Sequence, residues 1–480
     1  MRSRPDAPMT GERKPETDYA RSLLLTDLYQ LNMVEAYLAT GMEDEAVFEF
    51  FVRKLPPDRG FLVAAGLEQA IRYLLEAQCS PAELDWLRSC GRFTERLIDF
   101  LSGFRFSGDV DAPPEGTVVF ADEPLIRVTA PIAEAQLVET RIINFLHFQT
   151  LVASKAARMV LAAPDKGLVD FGLRRAHSGE AGLLAARAAY LAGFDGTATV
   201  PAAQHFGIPI LGTMAHSFIQ AHDSEEKAFR DFAAARPDQT VFLLDTYDTE
   251  RAAETVVALA PELAGDGISI RGIRLDSGDL AEHARKVRAI LDAGGLTETK
   301  IVASGGIDEA VLQGLTADGA PIDSYGIGTS LVTSEDHPAL DCAYKLKAYA
   351  GKPRRKRSEG KAFWPGPTQV YRRYAGDGRM AGDMLARADE TMDGKALLQP
   401  ILRGGRLVTP LPSLGLSREH ARTELASLPE HLKRLANEPP YDVAVSDALR
   451  TLAHRVDEET DRAETGIEPS KANAGPAGEG

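Results

Sequence analysis

The stretch Gly207-Ile-Pro-Ile-Leu-Gly-Thr-Met-Ala-His-Ser-Phe-Ile-Gln-Ala-His222 decides how the rest of the chain is read. Ile208 to Leu211 form an apolar run of a length that suits a short buried strand, and Gly212-Thr213 break it. His216-Ser217 then open an amphipathic segment in which Phe218, Ala221, Ala228 and Phe229 recur at helical spacing. The pattern is strand, turn, helix, with a histidine at the turn. In α/β folds chemistry collects where strands end and helices begin. The unpaired backbone N–H groups of a first helical turn favour an anion. An imidazole at that place is suited to exchange a phosphoryl group, and a lone histidine is also a common capping or core residue. Its company along the chain has to decide.

Outward from this stretch the same rhythm repeats. Apolar starts at Leu168–Phe171, Ile208–Leu211, Val241–Leu244, Ile268–Leu275, Lys300–Ala303 and Ile322–Ile327 are each followed by a polar loop, and the first five lead to a helical segment. Strands alternating with helices predict a parallel sheet. This many units favour a closed (β/α) barrel, while an open doubly wound sheet gives the same pattern.

The flanks read differently. Residues 1–20 are polar and Pro-rich, a disordered leader, and 465–480 are a Pro/Gly/Ala-rich disordered tail. Residues 21–132 predict an N-terminal α+β domain, with a helix after Thr26-Asp27 ending at Thr40-Gly41 and a strand at Ala46–Arg53. The barrel domain spans 133–340, opening with a buried helix over about 133–162. Residues 341–464 predict strands that return to the N-terminal domain, then charged helices, and include the basic loop Lys352-Pro-Arg-Arg-Lys-Arg357.

The six predicted strand ends carry polar residues in a consistent order. They are Asp170-Phe171-Gly172 with Arg174, then Thr213 with His216, then Asp245-Thr-Tyr-Asp248, then Arg274-Leu-Asp276-Ser-Gly-Asp279, then Ser304-Gly305-Gly306, then Gly326-Ile-Gly328-Thr329. Taken singly, each also reads as an ion pair, a helix cap or an ordinary turn. Taken together, they predict late glycine loops as a phosphate cradle and arginines as clamps for further anionic oxygens. The aspartates suit Mg²⁺, which prefers a few carboxylates plus substrate phosphates.

These motifs, with Thr26-Asp-Leu-Tyr-Gln30, Phe51-Val-Arg-Lys-Leu-Pro56, Asp170-Phe-Gly-Leu-Arg-Arg-Ala-His177 and Tyr344-Lys-Leu346, resemble the nicotinate phosphoribosyltransferase family in order over residues 20 to 375. The resemblance implies an irregular α/β barrel of the type II phosphoribosyltransferase kind with an N-terminal α+β domain, in a homodimer. It implies that nicotinate and phosphoribosyl pyrophosphate form nicotinate mononucleotide and pyrophosphate. ATP hydrolysis would be coupled through a phosphohistidine, with Mg²⁺. By the same resemblance His216 is the phosphorylated residue and Asp245 orients its ring. Phe171 stacks on the pyridine, and Tyr29, Thr213 and Arg274 surround the nicotinate, Tyr29 reaching a neighbour's site. Arg174 and Asp276 handle the ribose phosphate and its leaving group, Gly305, Gly306, Gly328 and Thr329 cradle the 5-phosphate, and Asp276 with Asp279 holds the metal. Two departures stand out. The Ser304-Gly-Gly306 loop lacks the acid that many relatives place there, and Ala198 stands where nicotinamide-using relatives carry an aspartate.

Composition narrows the field. Hydrophobic residues at 44% and charged residues at 26% suit a globular enzyme. A net charge of −16 argues against a general nucleic-acid binder. Cys79, Cys90 and Cys342 contain no C-x-x-C pair, which fits a reduced compartment and offers no zinc site. No apolar run nears the ~18–20 residues of a membrane span, and no apolar stretch follows the basic N-terminus, so the expectation is cytoplasmic. The rival readings are a nicotinamide or quinolinate phosphoribosyltransferase, a metal-dependent barrel hydrolase, and a non-catalytic nucleotide-binding relative. His177, His205, His216 and His222 form no close H-x-H pair of the kind the hydrolase would use.

Overall fold

The computed structural model describes residues 20–358, 361–435 and 439–465. All but the inner ends of the predicted leader and tail therefore lie outside the described residues.

Six parallel strands form the central sheet in the order Gly196–Thr197, Gly167–Asp170, Ser324–Ile327, Lys300–Ser304, Gly272–Leu275 and Val241–Leu243. The first strand in sequence thus lies beside the last, an order that runs around a ring. The ring is not closed by hydrogen bonds. Beyond Thr197 there is one parallel bridge to Ile210, and no ladder among the described residues joins Ile210 to Val241–Leu243. The fold is α/β with a parallel sheet, and its pairing leaves the predicted closure unproven.

The run Ile208–Leu211 also departs from expectation. Ile208 is buried, but Ile210 and Leu211 are 48% and 41% exposed. Pro209 has no N–H to donate and a strand pairs on one side only, so apolar character alone did not make this a core strand. The amphipathic segment after it is two helices, His216–Gln220 and Glu225–Ala235, because Ser224 caps a second start.

The N-terminal domain is built on a seven-stranded sheet in the order Lys352–Pro353, Asp341–Tyr349, Glu45–Lys54, Pro124–Pro131, Asp109–Ala112, Gln399–Arg403 and Arg406–Leu407. Every pair in it is antiparallel, and strands from beyond residue 340 flank those from the first 131. A four-stranded sheet, Lys395–Ala396, Thr368–Tyr374, Met380–Arg387 and Val443–Val445, stands beside it.

The two main cores share one element. The predicted helix over 133–162 is split at Val138 into Ile132–Leu137 and Glu139–Ala162. The longer piece sends Ile142, Phe145, Leu146 and Leu151 into the core of the N-terminal sheet. Its second half sends Val152, Ala153, Ala156, Ala157 and Met159 into the core of the parallel sheet. Each large side chain buried this way contributes about 1.5–3 kcal/mol, so one helix welds both layers. No helix among the described residues is long and apolar enough to cross a membrane.

Candidate active site

The carboxyl ends of the parallel strands enclose a cavity of about 280 Å³. Phe171, Arg174 and Arg175 follow the first strand, Arg274 and Asp276 the fourth, Ser304 to Asp308 the fifth, and Gly326, Gly328, Thr329 and Ser330 the sixth. Larger hollows of about 560, 700 and 470 Å³ exist elsewhere, but none is lined by Arg274 or Asp276. Two glycines are demanded by the packing. At Gly305, φ is +92° and a Cβ would fall 2.1 Å from the carbonyl oxygen of Asp276. At Gly326 a Cβ would fall 2.5 Å from the ring of Phe171, so the bare backbone lets that ring lie against the sheet.

Arg274 is the hub of the side chains. Its Nε donates to Ser304 Oγ at 2.8 Å, and its Nη1 to Thr213 Oγ1 and to the Met214 carbonyl, both at 3.1 Å. Its Nη2 donates to Asp276 Oδ1 at 2.8 Å, and its guanidinium carbon lies 5.6 Å from the Phe171 ring centre. Ser304 Oγ in turn donates to Asp276 Oδ1. Burial pushes the Asp276 carboxyl up, but the hydrogen bonds from Ser304 and Arg274 outweigh it and hold the group below its ordinary value.

His216 begins its short helix after an extended Ala215. Its Nδ1 lies 3.1 Å from Thr246 Oγ1, and its Nε2 lies 3.7 Å from Asp276 Oδ2 and 3.9 Å from Asp245 Oδ1. The imidazole is 36% exposed whereas the Asp245 side chain is 4% exposed. Asp245 Oδ2 accepts from Ser277 Oγ, but its buried Oδ1 has no hydrogen-bond partner. An unpaired buried carboxylate oxygen is costly, and it stands beside a ring open to solvent. The arrangement places a carboxylate oxygen where it can balance positive charge on that ring.

The donor set accommodates Mg²⁺ only as a shared ion. Asp245 and Asp276 offer hard oxygens, one of them unpartnered. No group of three or more His, Cys, Asp or Glu side chains is poised for a metal among the described residues. Substrate phosphates would have to complete the shell. Asp279, expected as a ligand, spends Oδ1 on the Glu282 amide as a helix cap.

Of the residues singled out in the sequence, Phe171, Arg174, Arg274, Asp276, Gly305, Gly306, Gly328 and Thr329 line one cavity. Thr213 joins them through Arg274, His216 adjoins through Asp276, and Asp245 adjoins through His216. Tyr29 does not line it: it is 48% exposed on the helix Leu28–Thr40 of the N-terminal domain. No acid stands at Ser304-Gly-Gly306; the next carboxylate, Asp308, lines the cavity two residues on and spends Oδ1 on the Val311 amide as a helix cap. Ala198 is exposed just past Gly196–Thr197, its N–H bonded to the Asp170 carbonyl. Ser304, Thr246 and Ser277, each bonded to a principal side chain, had no assigned role. Their adjacency to a strand-end glycine or aspartate was the available signal.

Three family descriptions match the chain: the nicotinate phosphoribosyltransferase N-terminal domain over residues 24–147, the nicotinate phosphoribosyltransferase family over 167–356, and its C-terminal domain over 391–453. Nicotinate phosphoribosyltransferase pncB2 of Mycobacterium tuberculosis is 47% identical over 428 residues, which cover 89% of this chain and 92% of that protein. The chain belongs to the nicotinate phosphoribosyltransferase family. The Bacillus subtilis nicotinate phosphoribosyltransferase is 38% identical over 93% of this chain and 97% of its own length. The crystal structure of human nicotinic acid phosphoribosyltransferase superposes with a TM-score of 0.82 at 30% identity, covering 90% of this chain and 99% of that one. Family membership makes the chain an enzyme, a nicotinate phosphoribosyltransferase, and sets it apart from the barrel hydrolases and non-catalytic proteins that its strand-end residues also allowed.

Proposed function

We propose that the cavity transfers the phosphoribosyl group of phosphoribosyl pyrophosphate to nicotinate, and that ATP hydrolysis is coupled to it through a phosphohistidine at His216. The observation that carries this reading is the double placement of Asp276, bonded to Arg274 inside the cavity and 3.7 Å from His216 at its edge. Phe171, held flat by Gly326, offers its face to the pyridine ring, and Arg274 with Thr213 meets the carboxylate. An aspartate at position 198 would repel that carboxylate, and alanine does not. Backbone amides at Gly305, Gly306, Gly328 and Thr329 cradle the 5-phosphate, and Arg174 meets further oxygens.

In the reaction the pyridine nitrogen bonds to the ribose C1 as the bond from C1 to pyrophosphate breaks. Positive charge grows on the sugar and negative charge on the leaving group, so the Asp276 carboxylate and the arginines match each in turn. Mg²⁺, when held by Asp276 and Asp245 together with the substrate's phosphates, would neutralise the departing charge. His216 accepts the γ-phosphoryl group of ATP on a ring nitrogen, ADP leaves, and water later takes that group away. The added dianion at the cavity edge changes how tightly substrates and products are held.

The finer architecture belongs to the same reading: the ring-ordered sheet is a type II phosphoribosyltransferase barrel with a seam between Ile210 and Val241. The exposed apolar side chains Leu173, Val200, Ile210, Leu211 and Tyr247 near the strand ends, with Leu28 and Tyr29 on the N-terminal helix, support a homodimer. The cytoplasm is its proposed compartment.

The deciding experiment measures nicotinate mononucleotide formed from nicotinate and phosphoribosyl pyrophosphate, with and without ATP, and labelling by γ-³²P-ATP. Label should enter the wild type and not His216→Ala. An alanine variant that keeps its full ATP stimulation sinks the coupling, and turnover of nicotinamide or quinolinate in preference to nicotinate sinks the substrate assignment.

A further inference from the structure

We propose that Lys155 is a positioning residue for the phosphate cradle, tying both of its glycine loops to one buried ammonium group. The proposal rests on the reading of the cavity as the phosphoribosyl pyrophosphate site.

Lys155 lies on the shared helix Glu139–Ala162 with its side chain 3% exposed. Its Nζ is 2.6 Å from Glu309 Oε2 and 2.8 Å from Asp336 Oδ1. Glu309 is the first residue of the helix Glu309–Ala317, immediately after the loop Ser304–Asp308 that lines the cavity. Asp336 immediately follows Glu335, the last cavity-lining residue of the loop that begins at Gly328. Each loop therefore has a carboxylate at its base, and both carboxylates end on the same ammonium. The loops are also tied to each other, since Ser330 Oγ donates to the Ile307 carbonyl.

A second cation secures the same corner. Arg59 is buried, and its Nη2 donates to Ser334 Oγ and to both Asp336 oxygens, at 3.0 and 3.2 Å. Ser334 has φ +44°, a left-handed conformation that a residue with a side chain keeps only when its surroundings hold it there. Arg158 Nε stands 3.5 Å from Glu309 Oε1. Arg59, Lys155 and Arg158 thus face Glu309 and Asp336, leaving the cluster one positive charge in excess at the base of loops that receive a phosphate. Burial pushes the Asp336 carboxyl up, but the bond from Lys155 and the charge of Arg59 outweigh it and bring it to about 2. The tie therefore stays ionised wherever an enzyme of this kind works.

A cluster that merely held the core together would, when broken, lower stability and leave the two substrates equally affected. A positioning cluster separates them, because Lys155 ends on the bases of the two loops, whereas Phe171 and Arg274, the latter bonded to Thr213, meet those loops at the strand tips Gly326 and Ser304. The test compares the full-length wild type with Lys155→Met, Glu309→Gln, Asp336→Asn and Ser330→Ala. It uses steady-state kinetics in both substrates and calorimetric binding of phosphoribosyl pyrophosphate. Lys155→Met should raise KM and Kd for phosphoribosyl pyrophosphate about tenfold, with KM for nicotinate within about twofold. Glu309→Gln and Asp336→Asn should move the same constant by smaller factors, and Ser330→Ala by the smallest. Lys155→Arg should recover part of the loss. Equal changes in both KM values, or a lowered melting temperature with both unchanged, overturn the proposal. Should Lys155→Met fail to fold, the Glu309→Gln and Ser330→Ala variants decide by the same comparison. A wild type that does not bind phosphoribosyl pyrophosphate would remove the underlying reading as well; one that binds it, with variants that bind it equally, removes this inference alone.

Discussion

The strand ends around Arg274 and the core around Arg372 use the same residue types, arginine against carboxylates, and move Asp276 and Glu123 in opposite directions from their ordinary values. Around Arg274 the donors are plentiful: Asp276 receives the guanidinium and the Ser304 hydroxyl, and its carboxyl is held below the ordinary value. Around Arg372 three carboxylates are crowded together out of water. The guanidinium lies 2.6 Å from Asp383, 2.8 Å from Glu424 and 3.9 Å from Glu123, all of them buried. Burial, then the neighbouring Asp383 charge, pushes the Glu123 carboxyl well above its ordinary value, and Arg372 offsets only part of that. Burial first, and then the sign of the nearest charge, sets whether donors can hold a carboxyl below its ordinary value: Asp276 is 29% exposed and faces Arg274, whereas Glu123 is buried and faces Asp383.

Four measurements break or sharpen this contrast. Arg372→Met should have the largest effect, a loss of about 3–5 kcal/mol of stability read from the denaturant midpoint, because three buried carboxylates lose their shared partner. Unchanged stability would mean the core is already neutral without it. Asp276→Asn should do the reverse, lowering kcat/KM by about 10²–10³-fold, with a ΔΔG‡ of about 2.7–4 kcal/mol, while the melting temperature barely moves. Gly326→Ala should push the Phe171 ring from its seat and raise KM for nicotinate by up to about tenfold, the worth of one aromatic contact of about 0.5–1.5 kcal/mol.

The smallest effect is a slope. The folded-state value of Glu123 lies above its unfolded value, so its contribution to stability is full below the ordinary glutamate range and is lost as pH rises toward the folded value. Wild-type stability should fall over that interval by at most about 1.4 kcal/mol per pH unit, and Glu123→Gln should flatten the fall. A slope of opposite sign would show Glu123 ionised in the fold.

The sequence announced the strand ends well, and for a physical reason. Gly305 and Gly326 sit at strand ends where the backbone passes against the Asp276 carbonyl and the Phe171 ring, so only glycine fits and the residue type shows in the sequence. Parallel strands likewise show themselves as apolar runs because helices cover them on their faces. Lys155 was not legible. It sits in a helix whose neighbours are alanines and valines, and its counter-charges arrive more than a hundred and fifty positions later, at Glu309 and Asp336. The hydroxyls of Thr246 and Ser304 stand among the strand-end residues without a role of their own in the sequence, because each owes its importance to a partner on another element, His216 and Arg274. Ile210 and Leu211 were misjudged for the opposite reason: composition advertised a core, and only the pairing shows that they lie at the sheet's free edge.

That free edge has a consequence for the imidazole. Between the single bridge at Ile210 and the strand starting at Val241, the segment carrying Thr213 and His216 is paired by backbone on one border, and on the other it is held by side chains, Arg274 to Thr213 and the Met214 carbonyl and His216 beside Thr246. A fully laced wall would resist a bulky anion arriving on one of its side chains. Here the histidine we propose to carry that load sits on a segment held on that side by side chains alone, which can trade partners, while the loops opposite are tied through Glu309 and Asp336 to Lys155, so under that proposal one mouth would grip a sugar phosphate on its fixed side and adjust to a phosphorylated ring on the other.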